Sequence, residues 1–294
     1  MTARMTALGL PGPEAALLVD HMLDAELRGL ASHGVERVRW LSETALFDPG
    51  ARPRELHRSG GLARHDGAGC LGYLALAAVL ERELSEPPAG ARLVVVSHCF
   101  PTGRLGWYAD RVARAGLAAV VTATSTPRIA HPDGGPPALG TNPICLALPG
   151  EPEPVVIDVS MGRVTFGDVL NARAAGRLLP PGAAVAAAGG GAERDPAEVT
   201  AGRAGIAPFG GEQAHKGFAL AAIVELLCRA LAGLDGHAAV VLLAHPESDP
   251  VPGLRTLLGD RHFPGDGGRD RRAQARAAGA VELPDELWMW LSGG

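Results

Sequence analysis

Two short, wholly apolar segments lie on either side of a predicted helix in the middle of the chain. Leu93-Val-Val-Val96 and Leu117–Thr122 are rich in apolar and β-branched residues, which favours buried strands. Between them, Leu105–Ala115 is predicted to be a helix. A strand, a helix and a second strand in this order predict an α/β unit, in which a sheet buries one face against a helix.

None of the predicted strands is followed by the glycine fingerprint of a common nucleotide-binding fold. No GxGxxG follows any predicted strand, and neither GxxxxGK[ST] nor HExxH occurs. The glycine fingerprint lets a backbone approach a pyrophosphate at a helix start, so its absence argues against an ordinary Rossmann dehydrogenase. The same inspection argues against a P-loop enzyme.

The remaining elements alternate less regularly. Residues 180–204 are rich in Ala and Gly, and their low complexity predicts a surface segment. The other predicted elements are helices at Pro13–Arg28, Val35–Leu46, Leu71–Leu84, Phe218–Ala232 and Leu283–Leu291, and strands at Val155–Asp158 and Ala238–Leu243.

Composition narrows the class of protein. A formal charge of −5 without a basic stripe argues against nucleic acid as a partner. The apolar runs are far shorter than the ~20 residues that span a membrane, and Pro11 and Pro13 interrupt the region where a secretion signal would lie. The four cysteines have no CxxC spacing, which fits reduced thiols better than disulfides or a zinc site. We therefore expect a cytoplasmic globular protein without a bound metal.

Ser32-His33-Gly34 directly follows the first long predicted helix. An imidazole titrates near neutral pH, so His33 on a glycine-flanked turn suits a general acid. The alternative is a solvated or capping histidine, which is the more common role on a turn.

Two further positions suit a bound anion or an oriented histidine. Asp158 ends an apolar strand, where a carboxylate orients a histidine or meets a cofactor hydroxyl, or else caps the next segment. Lys216 is the only lysine among 27 basic residues, and it stands at a predicted helix start whose free N–H groups favour anions. The alternative for Lys216 is an ordinary solvated helix start.

The motifs become specific when they are taken in order. The chain contains Glu26–Val35 with its Ser-His-Gly, then Gly140-Thr-Asn-Pro-Ile144, the strand ending in Asp158, and His215-Lys-Gly-Phe-Ala-Leu220. This series resembles the malate/L-lactate dehydrogenase family of the non-Rossmann type, along nearly the whole chain. Within it, the chain is most similar to the Δ1-piperideine-2-carboxylate/Δ1-pyrroline-2-carboxylate (ketimine) reductases, and the segments that carry this likeness are Phe166–Val169, Asn171–Gly176 and Phe209–Gly211.

The resemblance implies an α+β (mixed α/β) fold. Its NAD(P)-binding fold is of the non-Rossmann kind, with a mostly antiparallel central sheet and a helical domain formed by both termini. We expect residues 91–244 to form the NAD(P)-binding domain, and residues 1–90 with 245–294 to form the helical, substrate and dimer domain. The resemblance further implies NADPH or NADH as cofactor, a small-molecule substrate and a homodimer.

The same resemblance implies roles for individual residues. Ser32, His33 and Asp158 match the family's serine–histidine–aspartate relay, in which the histidine exchanges the substrate proton. Arg37 lies four residues after His33, and its planar fork suits a substrate carboxylate, which is an inference from chemistry alone. The positions that match the family's NAD(P) contacts are Thr124, Asp158, Val159, Ser160, Lys216, Gly265 and Asp266.

The function predicted from these residues is hydride transfer from NAD(P)H to the C=N bond of a cyclic imine acid, with His33 as proton donor. One alternative is a malate- or lactate-type 2-hydroxy acid dehydrogenase. A second is a catalytically impaired member that acts as a binding or scaffold protein. Pro101 replaces a histidine of the family pattern, and Met161 and Gly162 replace two hydroxyl residues.

Overall fold

A computed structural model of the chain describes residues 1–44 and 47–293. Helices and strands are distributed along the whole of this length. The helices are α1 Thr2–Ala7, α2 Gly12–Leu27, α3 Glu36–Ser42, α4 Gly72–Ser85, α5 Leu105–Arg114, α6 Phe166–Ala174, α7 Pro196–Thr200, α8 Ala214–Ala232, α9 Val251–Leu258, α10 Asp266–Ala278 and α11 Asp285–Ser292. The strands are β1 Arg54–Ser59, β2 Leu62–Asp66, β3 Ala91–Ser97, β4 Ala118–Ala123, β5 Ile144–Leu148, β6 Val155–Val159, β7 Ala184–Ala186, β8 Ala192–Glu193, β9 Ala204–Ile206 and β10 Ala239–Ala244.

Seven strands form one central sheet in the order β1-β2-β3-β10-β4-β5-β6. The pair β2–β3 is parallel, and the other neighbours in this sheet are antiparallel. The predicted mixed α+β fold with a mostly antiparallel central sheet is therefore confirmed. Strands β1 and β2 fall within residues 1–90 yet hydrogen-bond to β3, so the sheet crosses the predicted domain boundary, and that division stays a prediction.

Strand β10 lies in the middle of the sheet although it comes late in the chain. Val241 pairs with Val94 of β3 on one side and Val121 of β4 on the other, and all three are fully buried. A strand that is paired on both edges and mostly buried needs an apolar sequence, which the run from Ala239 to Ala244 provides. The sheet core is therefore centred on β10.

Helix α5 packs against β4, β5 and β6. Its fully buried residues are Leu105, Tyr108, Ala109 and Val112, at the i, i+3, i+4 and i+7 spacing of one helix face. The predicted helix at Leu105–Ala115 is confirmed for this reason. It also brings the loop before Leu105 to the end of the sheet where β6 ends.

The helices near the N-terminus follow the predictions closely. Helix α2 buries Leu18 and Met22 and packs against α1 and α4, as the pattern over Pro13–Arg28 predicts. The helix predicted at Val35–Leu46 corresponds to α3, and its last two residues, 45 and 46, lie outside the described residues. Within the described part of the chain, no helix has the length and apolar character needed to cross a membrane.

Most of residues 180–204 are exposed or partly exposed, as predicted for a surface segment, but the segment also contains strands and a helix that were not predicted. Strands β8, β7 and β9 form a second, three-stranded sheet, and Ala183, Ala184 and Ala204 are buried with Val199 of α7. Alanine side chains are short, so these strands pack closely against α6 and α7 without large side chains. The segment lacks a strong hydrophobic pattern for the same reason, so its strands were not predicted from the sequence.

Candidate active site

One cavity of about 570 Å³ opens where the turn after α2 meets the end of β6 and the start of α6. This main cavity brings together segments that are far apart in the chain. The predicted residues among its walls are Ser32, His33, Arg37, Thr124, Asp158 and Ser160.

Ser32 and His33 lie on a 3₁₀ turn, Ala31–His33, that follows α2. The Glu26 carboxylate accepts a hydrogen bond from the Val35 N–H at 2.8 Å, which closes the turn back onto α2. A Cβ added at Gly34 would overlap that carboxylate, so the glycine of Ser-His-Gly is needed for the close approach. Ser32 Oγ lies 3.2 Å from His33 Nδ1 and orients the ring.

His33 is held in its neutral form at pH 7. Burial, together with the positive charge of Arg37, lowers the pKa of His33 to about 4. Arg37 itself is tied in place, because its Nε donates to the Ser32 carbonyl at 2.8 Å. The histidine, its serine and the Arg37 guanidinium thus form one connected unit in the cavity wall.

Asp158 belongs to β6 and points to a different partner. Its Oδ2 accepts a hydrogen bond from the Gly106 N–H at 2.7 Å, at the start of α5. Burial raises the pKa of Asp158, and the Arg104 guanidinium opposes this rise. Asp158 and His33 line the same cavity, but no hydrogen bond joins them among the described residues.

Asp168 is a carboxylate that the sequence predictions missed. It lies in the first turn of α6, where it caps the helix by accepting from the Thr165 N–H at 2.9 Å, and it lines the main cavity. Its negative charge raises the pKa of His33 against the larger effects of burial and Arg37. Thr165-x-x-Asp168 is a capping-box pattern, so the helix start was visible in the sequence while its position beside His33 was not.

Arg104 is a second missed residue, and it organises the loop that precedes α5. Its Nη2 lies 3.0 Å from Asp24 Oδ2, and Asp24 also pairs with Arg28 at 2.8 Å and Arg272 at 2.9 Å. The main-chain N–H of Arg104 donates to His21 Nε2 at 3.0 Å. His21 and Asp24 are three residues apart and so share a face of α2, which fixes both ends of Arg104.

Arg128 is a third missed residue in the cavity wall. Its guanidinium carbon lies 3.7 Å from the centre of the Phe166 ring, a cation–π contact at the start of α6. Its Nε is buried and has no hydrogen-bond partner among the described residues. An arginine within Pro127-Arg-Ile carries no motif, so the sequence offered no signal for it.

The residues predicted to bind the cofactor do not all lie together. Thr124 lines the main cavity, with its hydroxyl accepting from the Ala238 N–H at 3.0 Å, and Ser160 lines it too. Val159 has an exposed side chain outside the cavity. Helix α8 begins at Ala214 and not at the predicted Phe218, so Lys216 lies in its first turn. The Lys216 side chain is exposed.

Gly265 and Asp266 lie apart from the main cavity, at the start of α10. They border a second, small cavity of about 20 Å³ beside β6. Asp266 forms ion pairs with Arg255 at 2.8 Å and Arg269 at 2.9 Å. Their cofactor role stays a prediction.

The main cavity has the size and chemistry of a small-molecule site. A volume of about 570 Å³ lies within the usual range for ligand pockets. Its walls combine aromatic rings with a run of hydroxyl groups that suits ribose and carboxamide groups: Thr124, Ser125, Thr126, Thr141 and Ser160. The described residues contain no group of His, Cys, Asp and Glu side chains that is placed to hold a metal ion.

Comparison with known proteins places the chain in a family. Residues 1–260 match the family model described as malate/L-lactate dehydrogenase. A (2R)-3-sulfolactate dehydrogenase (NADP(+)) of Chromohalobacter salexigens is 34% identical over 243 residues, covering 79% of this chain and 69% of the relative. A Δ1-pyrroline-2-carboxylate/Δ1-piperideine-2-carboxylate reductase of Pseudomonas putida is 34% identical over 228 residues, covering 76% of this chain and 65% of the relative.

The fold is shared with solved structures. A dehydrogenase from Sinorhizobium meliloti superimposes with a TM-score of 0.86 at 31% identity, covering 99% of this chain and 94% of that one. The mostly antiparallel sheet that carries this cavity differs from the parallel sheet of the Rossmann dehydrogenases. The chain belongs to the malate/L-lactate dehydrogenase family. The predicted enzyme class, an NAD(P)-dependent oxidoreductase, is thereby confirmed.

Proposed function

We propose that this enzyme reduces the C=N bond of a cyclic imine acid, with NADPH or NADH as hydride source and His33 as proton donor. The observation that carries the proposal is the placement of Ser32, His33 and Arg37 together in the wall of one ligand-sized cavity. Similarity to the reductase of Pseudomonas putida supports the substrate class.

Arg37 and His33 divide the work on the substrate. The Arg37 guanidinium binds the substrate carboxylate, since a planar fork suits a planar anion. That carboxylate offsets the positive charge that depresses the pKa of His33, so substrate binding makes the imidazole easier to protonate. His33 then holds the proton that passes to the substrate nitrogen, and Ser32 keeps the ring in place through Nδ1.

The cofactor completes this arrangement from the hydroxyl-lined part of the cavity. When bound, the nicotinamide supplies hydride to the carbon of the C=N bond. We assign its binding to Thr124 and the Asp158–Ser160 turn in the cavity wall, with Val159 contributing only main-chain groups because its side chain is exposed. We also assign it to Lys216, which is exposed on α8 and is not among the residues that line the cavity. Asp158 is held by the Gly106 N–H in the wall of the same cavity as His33, and its role as third member of the relay stays a prediction.

A 2-oxo acid is the second candidate substrate. A C=O bond beside a carboxylate offers His33 and Arg37 the same groups as a C=N bond does, and the sulfolactate dehydrogenase of Chromohalobacter salexigens is equally similar in sequence. A scaffold without activity is the weakest alternative, because the family's serine and histidine are both present and oriented.

We further propose that the enzyme is a cytoplasmic homodimer. The four cysteines are free and buried, which fits a reducing compartment. Ile144, Leu146, Val159 and Leu242 are each at least 37% exposed. They lie on the sheet face against which α8 packs, and the register of β10, β4, β5 and β6 makes them neighbours. An exposed apolar patch of this kind suits a second copy of the chain.

The proposal is tested by following the absorbance of reduced nicotinamide with a purified protein. Δ1-Piperideine-2-carboxylate and pyruvate are each offered with NADPH and with NADH. We expect oxidation with the cyclic imine at a higher kcat/KM than with the 2-oxo acid. A preference for the 2-oxo acid would favour the second candidate, and oxidation of neither cofactor with any substrate would contradict both.

A further inference from the structure

The main cavity contains three guanidinium groups and the carboxylates of Asp158 and Asp168, and two of the guanidinium groups are in no ion pair among the described residues. Three guanidinium groups line it, those of Arg37, Arg104 and Arg128. Arg104 is neutralised by Asp24, at 3.0 Å. Arg37 and Arg128 form no ion pair with any carboxylate in residues 1–44 and 47–293.

Arg128 is built into the wall and is not a mobile surface side chain. Its main-chain N–H donates to Leu139 at 2.7 Å and its carbonyl accepts from Ile206 at 2.7 Å, so the backbone is fixed on both sides. The Phe166 ring supports the guanidinium at 3.7 Å, and burial lowers its pKa without neutralising it. A buried Nε with no partner remains costly unless a ligand satisfies it.

The position of Phe166 puts this charge on the substrate side of the cavity. Phe166 begins α6, and the next residue, Gly167, lies so close to the relay that an added Cβ would be 2.6 Å from Ser32 Cβ. Arg128 therefore faces the cavity beside the turn that carries Ser32 and His33. Arg37 approaches the same turn from α3 through the Ser32 carbonyl.

We propose that Arg128 binds a second anionic group on the substrate, so that the enzyme acts on a 2-oxo or cyclic imine acid with two negative charges. The proposal rests on the function proposed above, in which Arg37 takes the carboxylate beside the reacting carbon. The two unpaired guanidinium groups then bind the two ends of one dianion. Arg37 binds the carboxylate beside the reacting carbon, and Arg128 binds a carboxylate or a sulfonate at the far end. The other source of the same anion chemistry is a phosphate of the cofactor.

Substrate pairs that differ by one carboxylate test the proposal directly. One pair is Δ1-piperideine-2,6-dicarboxylate and Δ1-piperideine-2-carboxylate, and the other is oxaloacetate and 2-oxobutyrate. The measured quantity is the ratio of kcat/KM for the dianion over that for the monoanion. We expect Arg128→Met to lower this ratio by about 10- to 100-fold, the range for a charge-assisted hydrogen bond, and Arg128→Lys to restore part of it.

Arg177→Met is the matched control, because Arg177 is an exposed arginine just beyond α6 and outside the cavity. It removes the same charge, so its ratio should equal that of the parent. KM for NADPH and for NADH is measured in every variant. If Arg128→Met raises the KM of NADPH and leaves the substrate ratio unchanged, the anion is the cofactor's phosphate and the proposal for the substrate is overturned.

A binding measurement separates this inference from the proposed function. Calorimetric titration compares pyridine-2,6-dicarboxylate with pyridine-2-carboxylate, stable analogues of the two imines, in buffer with excess chelator. We expect Arg128→Met to remove the preference for the dicarboxylate. If the parent shows that preference but no turnover, the proposed reaction fails while the anion site stands, and if the parent has no preference for either dianion, the site is refuted.

Discussion

Acid sensitivity is the most direct consequence of the depressed pKa of His33. The group titrates near 6.5 when unfolded and at about 4 when folded, so the unfolded chain binds the extra proton between these values. The contribution of His33 to the stability of the fold is therefore fully present above pH 6.5, and it is lost as the pH falls through about 4. The folded-state pKa implies a loss of about 2 kcal/mol by pH 5 and about 3 kcal/mol by pH 4.

Replacement by a neutral isostere isolates this contribution from every other titrating group. Urea unfolding of the parent and of His33→Asn is measured at pH 7, 5 and 4, with His57→Asn, an exposed histidine on β1, as control. The difference in free energy of unfolding between parent and His33→Asn should change by about 2 kcal/mol from pH 7 to pH 5, in favour of the variant. The free energy of unfolding of the control should follow that of the parent. Parallel curves for parent and His33→Asn would refute a neutral imidazole at pH 7 and the role of Arg37 in keeping it neutral.

Three further changes test separate parts of the site. His33→Ala should leave cofactor affinity unchanged and lower turnover by about 10²- to 10⁴-fold, the usual contribution of one positioned acid, as measured by steady-state kinetics and nicotinamide fluorescence titration. Lys216→Ala should raise the Kd of the cofactor by about 10- to 100-fold, with Lys216→Arg restoring it only in part; an unchanged Kd in the fluorescence titration would remove Lys216 from the cofactor site. Asp24→Asn should destabilise the fold by about 3 to 5 kcal/mol in urea unfolding, because it leaves the Arg104 charge buried without its carboxylate; a loss below about 1 kcal/mol would contradict that dependence.

Much of the fold followed from local patterns. The helical spacing of Leu105, Tyr108 and Val112 predicted α5, and the apolar run that ends at Leu243 predicted β10, because burial of one face imposes those periods. The central place of β10 was not predictable in this way. Strand order depends on pairing between residues that are more than one hundred positions apart, which no local pattern encodes.

The site shows the same division. Ser32 and His33 were found because a helix end, a hydroxyl and a glycine stand next to each other in the sequence. Arg104 and Arg128 were missed. The role of an arginine depends on whether it is buried and whether a carboxylate lies beside it, and the sequence shows neither.

The central position of β10 also affects the order in which the protein can be completed during synthesis. Strands β3 and β4 are made long before residues 239–244, and neither has its β10 neighbour until those residues leave the ribosome. Until then β3 and β4 are apolar strands that each have one unpaired edge, and such an edge pairs readily with another chain. Nascent or truncated chains that stop before residue 239 should therefore depend on chaperones, whereas the sheet is protected once the last strand has been inserted.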